Sequence, residues 1–250
     1  MATTELGAAN QDRIRILGLP VDCVTMDQTL ARLEAFLKSD QTHLVVTANA
    51  AGLFMARSDP VFGDLVKGAE LVTPDGMGVL WAAKQQGVLL SERVTGVDIV
   101  DRICNLSADK GYRVYFLGAE SGVAELAAEK LRLKHPGCNI VGTHDGYFPP
   151  ESDEVVASEI AESKPDILLV AMGMPRQEQF IRSTEQIIRA KVAMGVGGSF
   201  DVFSGRVKRA PVIVQRLAME WFWRFIQDRR KIAKALMVPR FMLLVLRERR

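Results

Sequence analysis

Arg113-Val-Tyr-Phe-Leu-Gly118-Ala-Glu-Ser-Gly122-Val123 opens a stretch that runs through Lys134 to Asn139-Ile-Val141. Val114 to Leu117 is a short apolar, β-branched and aromatic run, which predicts a strand. A glycine-bounded loop follows, then a helical stretch from Val123 to Lys134, then a second strand at Asn139 to Val141. Strand, helix, strand at this spacing argues for a parallel sheet with helices on both faces.

The unit recurs in both directions. Ile14 to Leu17, His43 to Thr47, Leu71 to Thr73, Ile167 to Ala171 and Lys191 to Val196 read as further strands. Helices are expected at Thr29 to Lys38, Gly78 to Gln86, Val97 to Asp109, Asp153 to Ser163 and Gln177 to Arg189. The fold class is therefore α/β, with a Rossmann-like, mostly parallel sheet. At 250 residues and 48% hydrophobic content, the chain suits one such domain, residues 1–205, plus an appendage, residues 206–250.

The appendage is a basic, aromatic helical segment. It carries thirteen Lys and Arg against Glu220, Asp228 and Glu248, a local net charge of +10, while the other 205 residues sum to −8. Trp221, Phe222, Trp223, Phe225 and Phe241 lie among the charges. Such a tail suits an anionic surface with apolar material beside it, a membrane or a lipid phosphate. A plainer reading also fits part of it. A helix from Pro211 to Asp228 would place Ile213, Val214, Leu217, Trp221 and Phe225 on one core-facing stripe. Trp223 falls off that stripe, and the apolar run Phe241 to Leu246 sits between arginines, which favours an interface.

Several classes are excluded. No apolar run approaches the roughly 18 residues of a membrane span, and residues 1–13 lack a signal-peptide core, so a cytoplasmic location is expected. Cys23, Cys104 and Cys138 have no Cys-x-x-Cys spacing, and His43, His135 and His144 have no metal-ligand spacing. No two aspartates stand one residue apart, so the Asp-x-Asp device that holds a divalent ion on a nucleotide sugar is missing. Neither metal nor cofactor is expected, and any bound diphosphate must be met by arginine, lysine or backbone N–H groups.

In parallel sheets ligands sit beyond the carboxyl ends of the strands. The exits here are Thr47 to Ala50, Thr73 to Gly76, Gly118 to Gly122, Gly142 to Gly146, Gly173 to Glu178 and Gly195 to Gly198. Gly118 to Gly122 could receive a phosphate at the start of a helix, or form a tight turn with Ser121 as the cap. Gly197, near Asp201, suits close approach of a ligand to backbone. Asp75 either caps the helix beginning near Gly78 or acts as a base. Its company favours the base: Thr47 and Asn49 with side chains available, and Arg93 with Thr95 in a loop, can hold a polyhydroxy substrate. Gln177, at a helix start, is expected to bond to sugar or base.

Together these motifs resemble the WecG/TagA/CpsF glycosyltransferase family over nearly the whole chain from Ile14. The resemblance rests on Thr47-x-Asn49, Pro74-Asp75-Gly76-x-Gly78, Arg93-Val94-Thr95-Gly96 with Asp98, Gly173-x-Pro175-x-Gln177-Glu178, Gly195-x-Gly197-Gly198-x-Phe200-Asp201, Arg209-Ala210-Pro211 and Glu220-Trp221-x-x-Arg224. It implies an inverting, metal-independent transferase. Such an enzyme moves a hexose-type sugar from a UDP-sugar to a polyprenyl-diphosphate-linked sugar at the inner face of the cytoplasmic membrane, for cell-surface polysaccharide or teichoic-acid-type glycan. Asp75 would be the general base with Thr47 beside it, and Asn49, Arg93 and Gln177 would line the donor site. The basic appendage would grip the lipid diphosphate and the membrane through Arg209, Arg216, Arg224, Arg229, Arg230, Lys231, Lys234 and Arg240. After Glu220-Trp221 the family often has Glu-Pro followed by arginines, whereas this chain reads Gln227-Asp228-Arg229-Arg230-Lys231.

Two other classes share features. A nucleotide-dependent oxidoreductase would share the sheet, but no strand leads into Gly-x-Gly-x-x-Gly. A nucleic-acid binder would explain the tail and leave the rim unexplained, so nucleic acid is not expected as a partner. The residues leave a homo-oligomer open.

Overall fold

A computed structural model describes residues 12–211, 214, 223 and 232–248, with side chains from 236 onward in the last segment. The first strand expected from sequence is not part of the main sheet. β1 (Arg13–Ile16) and β2 (Leu19–Asp22) instead form a separate antiparallel pair. Leu17 and Gly18 make the reversal with φ of 53° and 79°, a conformation that suits Gly18. Asp22 ties this hairpin down. Its carboxylate is 2% exposed and accepts from Arg13 at 2.9 and 2.8 Å, from Arg32 at 3.0 Å and from the Val72 N–H at 2.7 Å.

After α1 (Met26–Phe36) come β3 (His43–Ala48), α2 (Ala50–Ser58), α3 (Pro60–Lys67), β4 (Leu71–Pro74), α4 (Met77–Gln85) and α5 (Gly96–Lys110). β5 (Val114–Gly118), α6 (Val123–Lys134), β6 (Ile140–His144), a 3-10 turn (Pro150–Ser152) and α7 (Asp153–Glu162) follow. The chain continues through β7 (Ile167–Ala171), α8 (Arg176–Ile188), β8 (Val192–Gly195) and α9 (Ser199–Phe203) to a C-terminal helix, Ile232–Glu248. Six strands form one parallel sheet in the order β4-β3-β8-β7-β5-β6. The helix expected from Pro211 to Asp228 lies almost wholly outside the described residues.

The strands read as unbroken apolar runs because both faces of the sheet are covered. Successive side chains point to opposite sides. Leu44, Val46, Val72, Leu117, Leu168, Val170 and Ala193 pack with α2, α3, α7 and α8 in one core. Val45, Leu71, Phe116, Ile167, Leu169, Val192 and Met194 pack with α5, α6 and α9 in the other. Phe116 stacks on Phe200 there, with ring centroids 4.6 Å apart.

This division locates the crevice. β3 leads into α2, whose Leu53 and Ala56 belong to the first core, while the neighbouring β8 leads into α9, whose Phe200 belongs to the second. Adjacent parallel strands whose following helices diverge to opposite faces leave an opening between their carboxyl ends. That switch point lies at the carboxyl ends of β3 and β8, beyond Thr47 and Gly195.

Candidate active site

Thr47 stands at this switch point. It is 6% exposed, and its hydroxyl donates to the Gly195 carbonyl at 3.1 Å, joining the two diverging strands. Asn49 sits two residues on as the cap of α2, its side-chain oxygen accepting from the Gly52 N–H at 2.9 Å. The side chains expected to be available are thus already engaged at one atom each.

Backbone hydrogen bonds lace the remaining exits to this point. The Asp75 N–H donates to the Ala48 carbonyl at 2.8 Å, and the Val94 N–H to the Pro74 carbonyl at 3.0 Å. Thr47, Asp75 and Arg93 are therefore brought to one rim, as the sequence predicts. Gly76, with φ of 101°, takes the cap position of α4, so Asp75 stands on the corner one residue before it. Asp75 and Arg93 are both half-buried. A Cβ on Gly96, at the start of α5, would lie 3.5 Å from Thr47, Ser199 and the Val196 carbonyl, which brings that helix start to the same opening.

Gln177 is placed differently from its expectation. It is 1% exposed, and its side-chain oxygen accepts from the Gly173 and Gly197 N–H groups, each at 3.1 Å. Its amide nitrogen donates to Glu178 at 2.7 Å. One buried side chain therefore holds the exits of β7 and β8 together. This explains Gly195, where a Cβ would fall 2.3 Å from the Gln177 nitrogen. Gly197 contributes its N–H to this staple, and Asp201 lies in α9 with its carboxylate 3.4 Å from where a Gly198 Cβ would stand.

Gly118 has a different cause again. With φ of 128°, a Cβ there would lie 2.5 to 2.7 Å from the Ala171 backbone, so the glycine permits β5 and β7 to approach. Gly122, not Ser121, caps α6.

Asp98, in sequence only a member of the Arg93 motif, gains a partner in the structure. Arg209 donates to both its carboxylate oxygens at 2.8 Å, and Thr95 donates at 2.7 Å while capping α5. Burial pushes the Asp98 carboxyl up. Hydrogen bonds from Arg209 and Thr95, with the charges of Arg209 and Arg93, outweigh this and hold it below the usual carboxylate range. Arg206 pairs with Glu120 at the β5 exit, and Trp223 donates to the Lys208 carbonyl at 3.2 Å. The segment that follows α9 is thus attached at the rim. Pairs separated by 111 and 86 positions carry no local sequence signal.

Arg240 is exposed on the C-terminal helix. Arg216, Arg224, Arg229, Arg230 and Lys231 lie outside the described residues, as does the Lys234 side chain. Among the described residues no group of three or more His, Cys, Asp or Glu is arranged to hold a metal ion, and no helix is long and apolar enough to cross a membrane.

Comparison with known proteins identifies the family. An N-acetylglucosaminyldiphosphoundecaprenol N-acetyl-beta-D-mannosaminyltransferase of Bacillus spizizenii is 35% identical over 215 residues, 86% of this chain and 83% of the relative. Proteins of the same name from Staphylococcus aureus strains MRSA252 and MW2 are 33% and 32% identical over 244 residues, 97% of this chain and 95% of theirs. A sequence profile of the glycosyl transferase WecG/TagA/CpsF family matches residues 14–250. The chain is a glycosyltransferase and belongs to the WecG/TagA/CpsF family.

Proposed function

We propose that this glycosyltransferase moves an N-acetylmannosaminyl group from a UDP-sugar to N-acetylglucosamine carried on a polyprenyl diphosphate, inverting the anomeric centre without a metal. The relatives' names support the sugar and the acceptor. They also support inversion, since a single displacement on an α-linked nucleotide sugar gives a β product. Asp75 takes the proton of the acceptor hydroxyl as that oxygen attacks from the face opposite UDP, with Thr47 fixing the neighbouring backbone. Charge developing on UDP is met by Arg93 and backbone N–H groups. Residues 206–250 form the acceptor-side appendage and hold the protein on the inner face of the cytoplasmic membrane.

The observation that carries this reading is the rim at the β3/β8 switch point, where Thr47, the Asp75 corner and the Arg93 loop are joined by backbone hydrogen bonds. The test is release of UDP from a panel of UDP-sugars with a short-chain lipid-linked N-acetylglucosamine, in excess EDTA. The N-acetylmannosamine donor is expected to turn over, and Asp75→Asn to lower kcat by roughly two to four orders of magnitude with the donor KM unchanged. An equally active Asn variant removes Asp75 from the mechanism. Activity that needs added magnesium overturns the metal-free displacement.

A further inference from the structure

The C-terminal helix buries one stripe and exposes another. Val238, Phe241 and Val245 are 9%, 0% and 3% exposed and belong to the core that includes α2 and α4, which satisfies an amphipathic helix. Leu236, Met242, Leu243 and Leu246 nevertheless remain 38–58% exposed. Arg240, Leu243 and Arg247 follow one another at steps of three and four and so share a flank. Between that flank and α2 runs an open groove of about 410 Å³, lined by Phe54, Arg57 and Ser58 on one side and by Arg240, Leu243 and Arg247 on the other. Arg57 pairs with Glu248 at 2.6 Å and donates to the Leu17 carbonyl at 3.3 Å. Arg240 and Arg247 have no partner among the described residues.

We propose that this groove seats the headgroup phosphate of an anionic glycerophospholipid, with the exposed leucines entering the acyl region beside it. The lining changes from guanidinium to hydrocarbon within one groove, as a phospholipid does from phosphate to chain. Nucleic acid would use the arginines and leave four large apolar side chains in water, while a free phosphate would gain nothing from Phe54 or Leu243. Three arginines against the single carboxylate of Glu248 leave the face positive. The site is separate from the transfer rim, because its α2 residues lie about one and a half to two and a half turns beyond the capped end of that helix at Asn49. It deepens the proposed membrane attachment by naming the lipid class, and binding is measurable without any transfer.

The experiment is co-sedimentation of the full chain with phosphatidylcholine vesicles that do or do not contain phosphatidylglycerol. The parent is expected to bind only the anionic vesicles. Arg247→Glu, a change of two charges, should weaken that binding about 30-fold at low salt, and Leu243→Asp should weaken it as well. Both positions are exposed, so unchanged circular dichroism and unchanged turnover of a water-soluble acceptor should accompany the loss. Parent-like binding of Arg247→Glu overturns the proposal. Equal binding to neutral vesicles overturns the phosphate, and loss of turnover on the water-soluble acceptor assigns the groove to the acceptor instead. If Asp75→Asn is fully active while the vesicle results hold, the mechanism fails and the lipid seat stands.

Discussion

The C-terminal segment that follows α9 is attached at its two ends by different physics. At its root, Arg209 meets Asp98 and Arg206 meets Glu120, through side chains that are 36–48% exposed. At its far end, Val238, Phe241 and Val245 enter the core that includes α2 and α4. Exposed ion pairs contribute about 0–1 kcal/mol each and weaken with salt, whereas each buried apolar side chain contributes about 1.5–3 kcal/mol and responds little to salt. The far end is therefore the fixed anchor and the root the adjustable joint. An arginine whose partner is a rim carboxylate can exchange it for a phosphate at modest cost, which a buried phenylalanine cannot do.

The largest expected effect follows from the anchor. Phe241→Ala should lower the unfolding free energy by about 3–5 kcal/mol, because a fully buried ring is lost and the cavity collapses only partly. Denaturant titration at low and high salt measures it. A loss below about 1 kcal/mol, or one that shrinks with salt, would mean that the two ends do not differ in kind.

Which parts of this arrangement were legible in sequence follows from the range of the interactions. Strands buried on both faces leave an apolar run in the chain, so β3, β4, β5, β7 and β8 lie within a residue or two of expectation. The hairpin strand β2 was missed because Pro20 interrupts it and its buried Asp22 looks polar, while the partners that justify that carboxylate come from Arg13, Arg32 and the Val72 backbone. α2 and α3 were missed because Gly52 and Gly63 weaken the helical signal. Those glycines answer to packing: a Cβ would lie 2.6 Å from the Met174 sulfur in one case and 2.5 Å from the Ala56 carbonyl in the other. At the site, the gathering of Thr47, Asp75 and Arg93 is legible because Thr47 and Asp75 leave consecutive strands and Arg93 follows in the next loop. The enclosure of Gln177 by Gly173 and Gly197 is not, because its partners approach only after β7 and β8 pair.

A smaller effect is expected at the root. In a double-mutant cycle, Asp98→Asn and Arg209→Ala should couple by about 0.5–1 kcal/mol, at the upper end for an exposed pair because the geometry is bidentate. Coupling that falls as salt is raised would sharpen the contrast with Phe241. Coupling beyond about 3 kcal/mol would make the root as fixed as the anchor and erase the contrast.

The smallest effect is confined to acid. Asp98 is held below the usual carboxylate range, so its folded-state pKa lies under its unfolded value of about 3.9. Its contribution is present above that unfolded value and is lost as pH falls through the folded one. Asp101 behaves alike: burial raises its carboxyl, and hydrogen bonds from His135 and Lys134 with their charges outweigh this. The parent should therefore lose stability from both groups below about pH 4. Asp98→Asn should remove one share of that acid limb and leave the Asp101 share. Phe241→Ala should displace the whole stability-against-pH curve downward without changing its shape, since a phenyl ring binds no proton. Urea midpoints of the parent and the two variants at a series of pH values below neutrality give all three curves. If Asp98→Asn runs parallel to the parent through the acid limb, Arg209 does not hold that carboxylate in solution, and the attachment of the root at the rim falls with it.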